Sequence, residues 1–427
     1  MCIKINKLSP VTIIKLQIAF ALVERFLTQS LKLPGAIIYG MDFFNLLLLL
    51  CLLKVGKRNK YIGFILAYIG ITAVLLITGF TNFKKWGGNF ATAIVEIRNI
   101  VRFPIFFLAC AKFLNIDQVK KIYKLLTLFF IVNTIVILYQ YFTFHPPGIW
   151  MRGDMLNGLF GTETGGNTFV NVILVVVVTY LLTTWSKKEI STSRFFCAVG
   201  ASLLISALIE LKAFFLEFVA IYGFYFIKKK KTKKESFLNV ILIIAAVIVS
   251  TAGLQIMYRE YPWFKNSISI TGIINQLSGS GYTGEGDLNR FTGIFTIASQ
   301  FFKGNINEIL FGTGAGNASQ SGILGGQSLF YNHYAESHYN WFSATYMFAQ
   351  GGAFSLLLYL FTFVYLFFKQ KQNKRFRLNT QIMCMVAAFL VFYGEALRTD
   401  AGYFVYFALA SGFVNFGADD KISKYEV

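Results

Sequence analysis

Residues Tyr61 to Phe80 read YIGFILAYIGITAVLLITGF and include no charged side chain. A helix of this length rises about 30 Å, which is the thickness of the hydrocarbon core of a bilayer. Comparable apolar runs recur along all 427 residues, and the chain is 56% hydrophobic and only 14% charged. Soluble domains average roughly 25% charged residues. The sequence therefore predicts an all-α polytopic membrane protein and excludes a series of soluble domains.

Length and hydropathy predict about twelve transmembrane helices. The stretch from Phe195 to Ile227 is too long for one span, so we divide it into a hairpin at Glu210-Leu211-Lys212. The first span lacks a small-residue cleavage site, so we expect it to be retained rather than removed as a signal peptide. The predicted spans lie near 11–30, 36–53, 61–80, 90–111, 122–143, 167–185, 195–210, 213–227, 236–254, 341–368, 378–394 and 401–417.

The chain has a formal net charge of +20, and the positions of its basic residues indicate what this charge means. A basic excess indicates nucleic acid only when it forms a patch on a soluble surface. Here basic residues concentrate in alternate connections, at Lys54 to Lys60, Lys228 to Lys234 and Lys369 to Arg377. By the positive-inside rule these connections and both termini face the cytoplasm. The whole excess falls in the predicted cytoplasmic segments, so we expect no nucleic-acid partner.

The spans divide the chain into three parts. We expect nine transmembrane helices in 1–254, a large extracytoplasmic loop in 255–340, and three more helices with a cytoplasmic tail in 341–427. Within the loop, Asn289 to Phe302 (NRFTGIFTIASQFF) has apolar residues at helical spacing. This pattern predicts an amphipathic helix of the kind that lies on a membrane surface.

Metal and disulfide chemistry are not expected. The five cysteines have no CxxC spacing, and four of them lie in apolar runs, which is typical of small buried side chains. Glu285-Gly286-Asp287 is the one closely spaced acidic pair in the loop, and two carboxylates alone make a weak metal signal. We therefore predict no metal site.

Arg98 and Arg102 lie four residues apart in the fourth predicted span, on one helix face. Ionisable residues inside spans usually face a partner or a cavity. One interpretation is internal pairing with Glu96, Glu210 or Glu217. The other is binding of a phosphate-bearing lipid such as a polyprenyl diphosphate, because the guanidinium fork matches phosphate oxygens.

Three further cations lie on the predicted outer side. Lys212 is at the tip of the hairpin, where a lysine either snorkels or has a functional role. Arg152 begins an outer segment, either as a solvated charge or as part of a site. Arg290 begins the predicted loop helix, where free backbone N–H groups also favour an anion.

Two of the three histidines occur in Tyr331 to Trp341 (YNHYAESHYNW). Imidazole titrates near neutral pH, so His338 with Glu336 beside it suits a general base and its helper. The alternative is a solvated loop histidine, and the aromatic residues here fit either an interfacial belt or a sugar-stacking surface.

Two other segments are notable. Leu310 to Asn317 (LFGTGAGN) has the look of a phosphate loop, but no strand precedes it, so we predict a helix stop and tight turn. Glu395, Arg398 and Asp400 form the outer turn of the last predicted hairpin. They either pair with one another or line the rim of the same outer cavity.

The order of these segments resembles the O-antigen polymerase and O-antigen ligase superfamily, the Wzy-like membrane glycosyltransferases. Asn157-Gly-Leu-Phe-Gly161 is similar to the family's glycine–aromatic segment, and Glu210-Leu-Lys212 stands where the family often has Ser-Arg. Arg290 followed by the 310–317 segment is similar to its Arg and Phe-Gly-x-Gly-x-Gly pattern.

The histidine motif is similar with one departure. Ser337-His338, Asn340 and Gly351-Gly352 follow the family's His-Asn…Gly order, but Tyr339 separates the histidine from the asparagine. The choice of base between His338 and His333 is therefore open.

The resemblance implies a fold with about twelve spans and one large late loop. It also implies a bacterial cytoplasmic (inner) membrane location and an enzyme that uses no metal or other cofactor. Its donor would be an undecaprenyl-diphosphate-linked oligosaccharide, and its product an O-antigen, capsule or exopolysaccharide. A chain-length regulator and a flippase are the implied protein partners. The implied diphosphate-binding residues are Arg290, Lys212, Arg98, Arg102 and Arg152, and the implied catalytic residues are Arg290, His338 and Glu336.

Two other functions remain open from the sequence. A ligase of the same superfamily would transfer the finished glycan to lipid A-core. A flippase would move lipid-linked oligosaccharides across the membrane with a similar number of spans, but it would not need a loop histidine. The polymerase is the function that we predict.

Overall fold

The computed structural model describes residues 9–55, 61–148, 152–228, 281–283, 286–321, 326–370 and 375–414, with scattered residues between 244 and 259. In these ranges the regular structure is helical, apart from one short antiparallel pairing of β1 (Gln320–Ser321) with β2 (Gly326–Gln327) and an isolated antiparallel bridge between Tyr282 and Leu288. The helices are α1 (Pro10–Arg25), α2 (Gly40–Val55), α3 (Ile62–Trp86), α4 (Phe90–Phe113), α5 (Ile116–Thr143), α6 (Arg152–Met155), α7 (Gly166–Ser186), α8 (Thr192–Leu208), α9 (Lys212–Lys228), α10 (Gly293–Thr296), α11 (Ile306–Phe311), α12 (Leu329–Tyr334), α13 (Ser343–Lys369), α14 (Arg377–Tyr393) and α15 (Gly402–Ala410).

The described helices confirm an all-α membrane protein. Each predicted span except the ninth coincides with a helix. The ninth span, at 236–254, lies largely outside the described residues, as do 255–280 of the predicted loop and the tail at 415–427. By length and composition, five described helices can cross a membrane: Gly35–Val55, Ile62–Trp86, Ile116–Thr143, Gly166–Ser186 and Ser343–Lys369. The number of crossings stays a prediction.

Local sequence sets several helix ends. The side chain of Ser9 accepts the backbone N–H of Thr12 at the start of α1, and Pro10 follows it at the first helical position. Asn115 and Gln118 form a reciprocal capping box at the start of α5. Such caps satisfy N–H groups that have no partner within the helix.

The predicted division of the 195–227 stretch into a hairpin is confirmed. Helix α8 ends at Leu208 and α9 begins at Lys212. Between them Glu210 adopts a left-handed conformation with φ of 63°, which an L-residue rarely takes outside a turn. The turn therefore separates two helices of 17 residues each.

Contacts between the helix termini group these termini into two ends of the bundle. At one end, Arg25 donates to the carbonyl of Thr164 at 3.4 Å and the N–H of Ser343 donates to the carbonyl of Gly394 at 3.0 Å. At the other end, Arg375 pairs with Glu189 at 2.6 Å. We call the first the loop end, because the described parts of 144–166, 209–211, 286–342 and 394–401 all lie there.

The glycine segment is a helix stop and turn, as predicted, and it is inserted between α3 and α13. The N–H of Ala315 donates to the carbonyl of Leu75 at 2.8 Å, and that of Gly314 to Gln350 at 2.7 Å. Gly314 has φ of 88°, and a Cβ there would lie 1.9 Å from the backbone nitrogen of Gly79. The glycines therefore serve close backbone packing.

The predicted amphipathic helix is shorter than expected. Regular helix begins at Gly293 as α10 and continues as a π-helical turn to Phe301. Phe301 is buried against the ring of Tyr334, with centroids 3.9 Å apart, whereas Phe295 is 68% exposed. The expectation that Arg290 begins this helix is wrong, because Arg290 lies in the preceding turn. The favourable field of a long helix does not act on it.

Candidate functional site

Two predicted cations, Arg290 and Lys212, lie close enough at the loop end to affect each other electrostatically. Lys212 begins α9 and pairs with Glu210 at 3.4 Å, with both side chains largely buried. Arg290 comes from the loop segment and is half-buried. Both cations lie near Asp154 of α6, whose carboxylate also accepts a hydrogen bond of 2.5 Å from Asn167. We call Asp154, Glu210, Lys212 and Arg290 the charge cluster.

The two carboxyl groups of the charge cluster respond to burial and to the cations. Burial raises the pKa of Asp154, and the positive charges of Lys212 and Arg290 oppose that rise. Burial also raises the pKa of Glu210, against the effect of the same two cations, and the nearby Asp154 adds to the rise. The cluster thus couples a loop residue electrostatically to two other connections at the loop end.

Aromatic rings hold the Arg290 guanidinium. Its central carbon lies 4.1 Å from the ring centroid of Tyr393 and 5.3 Å from that of Phe342. These rings are at the end of α14 and the start of α13, so Arg290 is fixed to two long helices by cation–π contacts. A cation held in this way needs little rearrangement when an anion arrives.

His338 has a carboxylate partner, but it is not the one that the sequence predicted. Its Nδ1 lies 2.5 Å from Oδ1 of Asp287, and its ring stacks on Trp341 with centroids 3.8 Å apart. Glu336 is exposed, and the carboxylate at the His338 ring is that of Asp287; the role of Glu336 as helper stays a prediction. The ring nitrogen directed away from this pairing is Nε2.

The segments that carry His338 and Arg290 are joined by their backbones. The N–H of Leu288 donates to the carbonyl of Ser337 at 2.8 Å. This bond lies between Asp287 and Arg290 on one segment and next to His338 on the other. The structure therefore places the segment of the predicted base beside the segment of Arg290.

The other two histidines make their polar contacts with nearby backbone carbonyls. His333 is exposed, and its Nδ1 contacts the carbonyl of Leu329 in its own helix at 2.8 Å. His145 is likewise placed against the nearby carbonyl of Thr143 at 3.1 Å. Of the three, His338 is the one with a carboxylate partner.

Arg98 and Arg102 are paired inside the bundle, as one interpretation expected, but with other partners. Arg98 pairs with Asp42 at 2.7 Å, and Arg102 pairs with Asp400 at 2.6 Å with both side chains only 6% exposed. Arg102 also donates to the carbonyl of Arg398. Their role in diphosphate binding stays a prediction.

The three glutamates proposed as their partners are engaged elsewhere. Glu96 accepts hydrogen bonds from the Gly316 N–H and the Ser319 hydroxyl. Glu217 accepts one from Asn171 at 2.9 Å, and Glu210 pairs with Lys212. The internal partners of Arg98 and Arg102 are therefore Asp42 and Asp400 rather than these three glutamates.

Arg152 and the last turn complete the predicted set. Arg152 donates to the carbonyl of Tyr141 at 2.7 Å and lies over the Tyr141 ring at 4.4 Å. In the turn, Arg398 lies 3.9 Å from Glu395, whereas Asp400 pairs with Arg102. Glu395 therefore pairs within the turn, as one interpretation expected, whereas Asp400 pairs outside it.

Comparisons with protein-family models, curated proteins and solved structures gave no match for this chain. Among the described residues, no group of three or more His, Cys, Asp or Glu side chains is placed to hold a metal. The resemblance to the O-antigen polymerase and ligase superfamily therefore depends on the sequence motifs.

Proposed function

We propose that this chain is a membrane glycosyltransferase that polymerises undecaprenyl-diphosphate-linked repeat units into surface polysaccharide. In this proposal the loop end lies on the outer face of the bacterial cytoplasmic membrane, the termini are cytoplasmic, and the chain has about twelve spans. The observation that supports it is that the segment of His338 is bonded to the segment of Arg290 at the loop end, and that Arg290 acts electrostatically on Lys212. These residues come from separate parts of the sequence. The sequence motifs predict Lys212 and Arg290 for diphosphate binding and His338 for the base.

The first task is stabilisation of the leaving group. As the bond between the sugar and the diphosphate breaks, its electron pair moves to the diphosphate oxygen, and negative charge grows there. Fixed cations aimed at that charge lower the barrier. Arg290 offers a planar fork that matches phosphate oxygens, and Lys212 offers a compact charge. The rings of Tyr393 and Phe342 hold Arg290 in place before the substrate arrives.

The second task is activation of the acceptor hydroxyl. The hydroxyl oxygen forms the new bond to the anomeric carbon of the donor while its proton passes to a base. Asp287 on Nδ1 of His338 favours the tautomer whose Nε2 is free of hydrogen. That nitrogen can accept the proton, and the carboxylate then stabilises the imidazolium that forms.

Purified full-length protein in proteoliposomes with a lipid-linked repeat unit tests this function. Wild type should form oligomers, and Arg290→Ala and His338→Ala should reduce the rate at least 100-fold, within the range for a lost oxyanion donor or general base. Arg194→Ala removes an exposed cation of α8 far from the loop end, and it should leave the rate unchanged. His333→Ala should also be active, and a loss there would transfer the base role to His333.

The two alternatives give different outcomes in cells. Deletion of a polymerase gene leaves single repeat units on the surface. Loss of a ligase leaves long chains on the lipid carrier, and loss of a flippase leaves repeat units on the inner leaflet. A chain-length regulator and a flippase are proposed partners, so ladder length should depend on a regulator, while oligomer formation should not.

A further inference from the structure

Three cations from separate elements lie close together at the end of the bundle opposite the loop end. Lys187, which follows α7, donates from Nζ to the backbone carbonyl of Arg375. Arg375 precedes α14 and pairs with Glu189 at 2.6 Å. Lys120, near the start of α5, acts electrostatically on Lys187. We call Lys120, Lys187 and Arg375 the basic cluster.

Stacked aromatic rings hold the elements of the basic cluster in place. The ring of Tyr123, three residues after Lys120, stacks on Tyr180 of α7 with centroids 4.1 Å apart. The Tyr123 ring also lies 5.9 Å from the ring of Phe376, the residue after Arg375. All three rings are buried. The backbone positions of the three cations are therefore fixed by packing before any ligand binds.

Positive charge outweighs negative charge around the basic cluster. The described segments that carry it, 115–124, 185–190 and 375–378, contain seven Lys or Arg residues and two acids, Asp117 and Glu189. Glu189 is engaged by Arg375. Asp117 lies 3.9 Å from Lys120 with 56% of its side chain exposed, and such an exposed pair stabilises little. These two carboxylates therefore leave an excess of positive charge in the cluster.

Lys187 experiences this excess most directly. Partial desolvation lowers the pKa of Lys187, and the positive charges of Arg375 and Lys120 lower it further, whereas Glu189 opposes them. An anion beside Lys187 would act in the opposite direction, because a nearby negative charge favours the protonated form of lysine. Phosphate oxygens suit this position, since ammonium and guanidinium groups both donate charge-assisted hydrogen bonds to them.

The helix surface that adjoins the cluster is apolar and exposed. On α5, Leu125 and Leu128 follow Lys121 at intervals of four and three residues, which places the three on one helix face. The two leucines are 37% and 59% exposed, and α5 is long and apolar enough to cross a membrane. A diacyl lipid whose chains lie along this face has its headgroup at the level of the cluster.

We propose that the basic cluster binds the phosphate group of an anionic phospholipid in the membrane leaflet at this end of the bundle. Basic pockets between transmembrane helices are a known binding mode for such headgroups. The ammonium groups of Lys120 and Lys187 bind the phosphate oxygens, and the carbonyl of Arg375 positions Lys187. A free phosphate compound has the same chemistry, but the exposed leucine face favours the lipid. This inference does not depend on the proposed function.

Native mass spectrometry of the detergent-solubilised full-length protein tests the inference by titration with two lipids of the same acyl chains, phosphatidylglycerol and the net-neutral phosphatidylcholine. Wild type should bind phosphatidylglycerol at least tenfold more tightly. Each basic residue near an anionic lipid surface contributes about a fivefold change in affinity. The double variant Lys120→Gln, Lys187→Gln should therefore weaken phosphatidylglycerol binding about 25-fold and leave phosphatidylcholine binding unchanged.

Two further variants separate the site from net charge and from packing. Lys54→Gln with Lys228→Gln is the matched control, because it removes two exposed cations at the ends of α2 and α9, outside the basic cluster. It should bind phosphatidylglycerol within twofold of wild type. Lys120→Arg with Lys187→Arg keeps both charges and should bind within threefold of wild type.

Four results would overturn the inference. Equal affinity of wild type for the two lipids would show that the headgroup is not recognised. An equal loss in the matched control would show attraction to net charge alone, and an equal loss in the arginine variant would assign the two lysines to packing. Displacement of phosphatidylglycerol by an equal concentration of soluble glycerol phosphate would transfer the cluster to a free phosphate compound.

Discussion

The pairing of Asp287 with His338 supports a quantitative prediction for Asp287→Asn. The substitution keeps the shape and removes the charge that orients Nδ1 at 2.5 Å. A hydrogen bond to a charged group contributes about 1.5–3 kcal/mol. The His338 side chain is 39% exposed and that of Asp287 is 17% exposed, so solvent screening favours the lower half of this range. At 1.36 kcal/mol per decade, the lower half of the range predicts that the rate should fall about 13- to 45-fold.

A double-mutant cycle separates orientation of the base from a general structural effect. His338→Ala should reduce the rate at least 100-fold. If Asp287 acts through His338, then Asp287→Asn should cause no further loss in the His338→Ala background. The assay is the initial rate of oligomer formation in proteoliposomes, with protein amounts matched by quantitative blotting.

The control is Asp117→Asn, which changes an Asp at the opposite end of the bundle whose side chain is 56% exposed. It should leave the rate within twofold. Glu336→Gln tests the helper that the sequence predicted. A further 10-fold loss in the Asp287→Asn, His338→Ala double variant would refute the proposed coupling, and a Glu336→Gln loss as large as that of Asp287→Asn would reinstate Glu336.

Three other predictions concern stability and pH. Arg102→Ala should destabilise the protein by about 3–5 kcal/mol because it leaves the buried carboxyl groups of Asp400 and the neighbouring Glu24 without their cation, which thermal unfolding in detergent would detect; an unchanged midpoint would contradict this. Gly314→Ala should abolish folded yield in size-exclusion chromatography, since its Cβ would meet the α3 backbone at 1.9 Å, whereas Gly200→Ala, with nothing within 4 Å, should fold; equal yields would be against the packing argument. Burial raises the pKa of Asp154, so the native state keeps its proton where the unfolded chain has lost it, and stability falls as pH rises from about 4. The stabilisation by Asp154→Asn should therefore grow from pH 4 towards neutral pH, and a difference that is constant with pH would rule out this origin.

The sequence predicts the elements of this fold well, because hydropathy is a local signal. The span boundaries follow from apolar runs of known length, and the hairpin at Glu210 follows from a charged interruption in a run too long for one helix. The stop after Phe311 follows from glycines that adopt positive φ. The periodicity of the loop segment does not predict its helix start at Gly293 or its π-helical turn, which ends at Phe301 where that ring stacks on Tyr334.

Pairings between distant residues could not be predicted in the same way. Asp287 and His338 are 51 residues apart, and Arg102 and Asp400 are 298 apart. A charged side chain inside a span requires a partner, but hydropathy does not say which one. Nearness in sequence favours Glu336 as the partner of His338, whereas the bond between Leu288 and Ser337 brings the carboxylate of Asp287 to the ring.

Oligomer formation from a purified undecaprenyl-diphosphate-linked repeat unit, with the full-length protein alone in proteoliposomes, tests the central claim most directly. The account predicts a ladder of products with wild type and with Arg194→Ala, and unextended repeat units with Arg290→Ala. Unextended units with wild type, or a ladder of the same length and rate with Arg290→Ala, would contradict it.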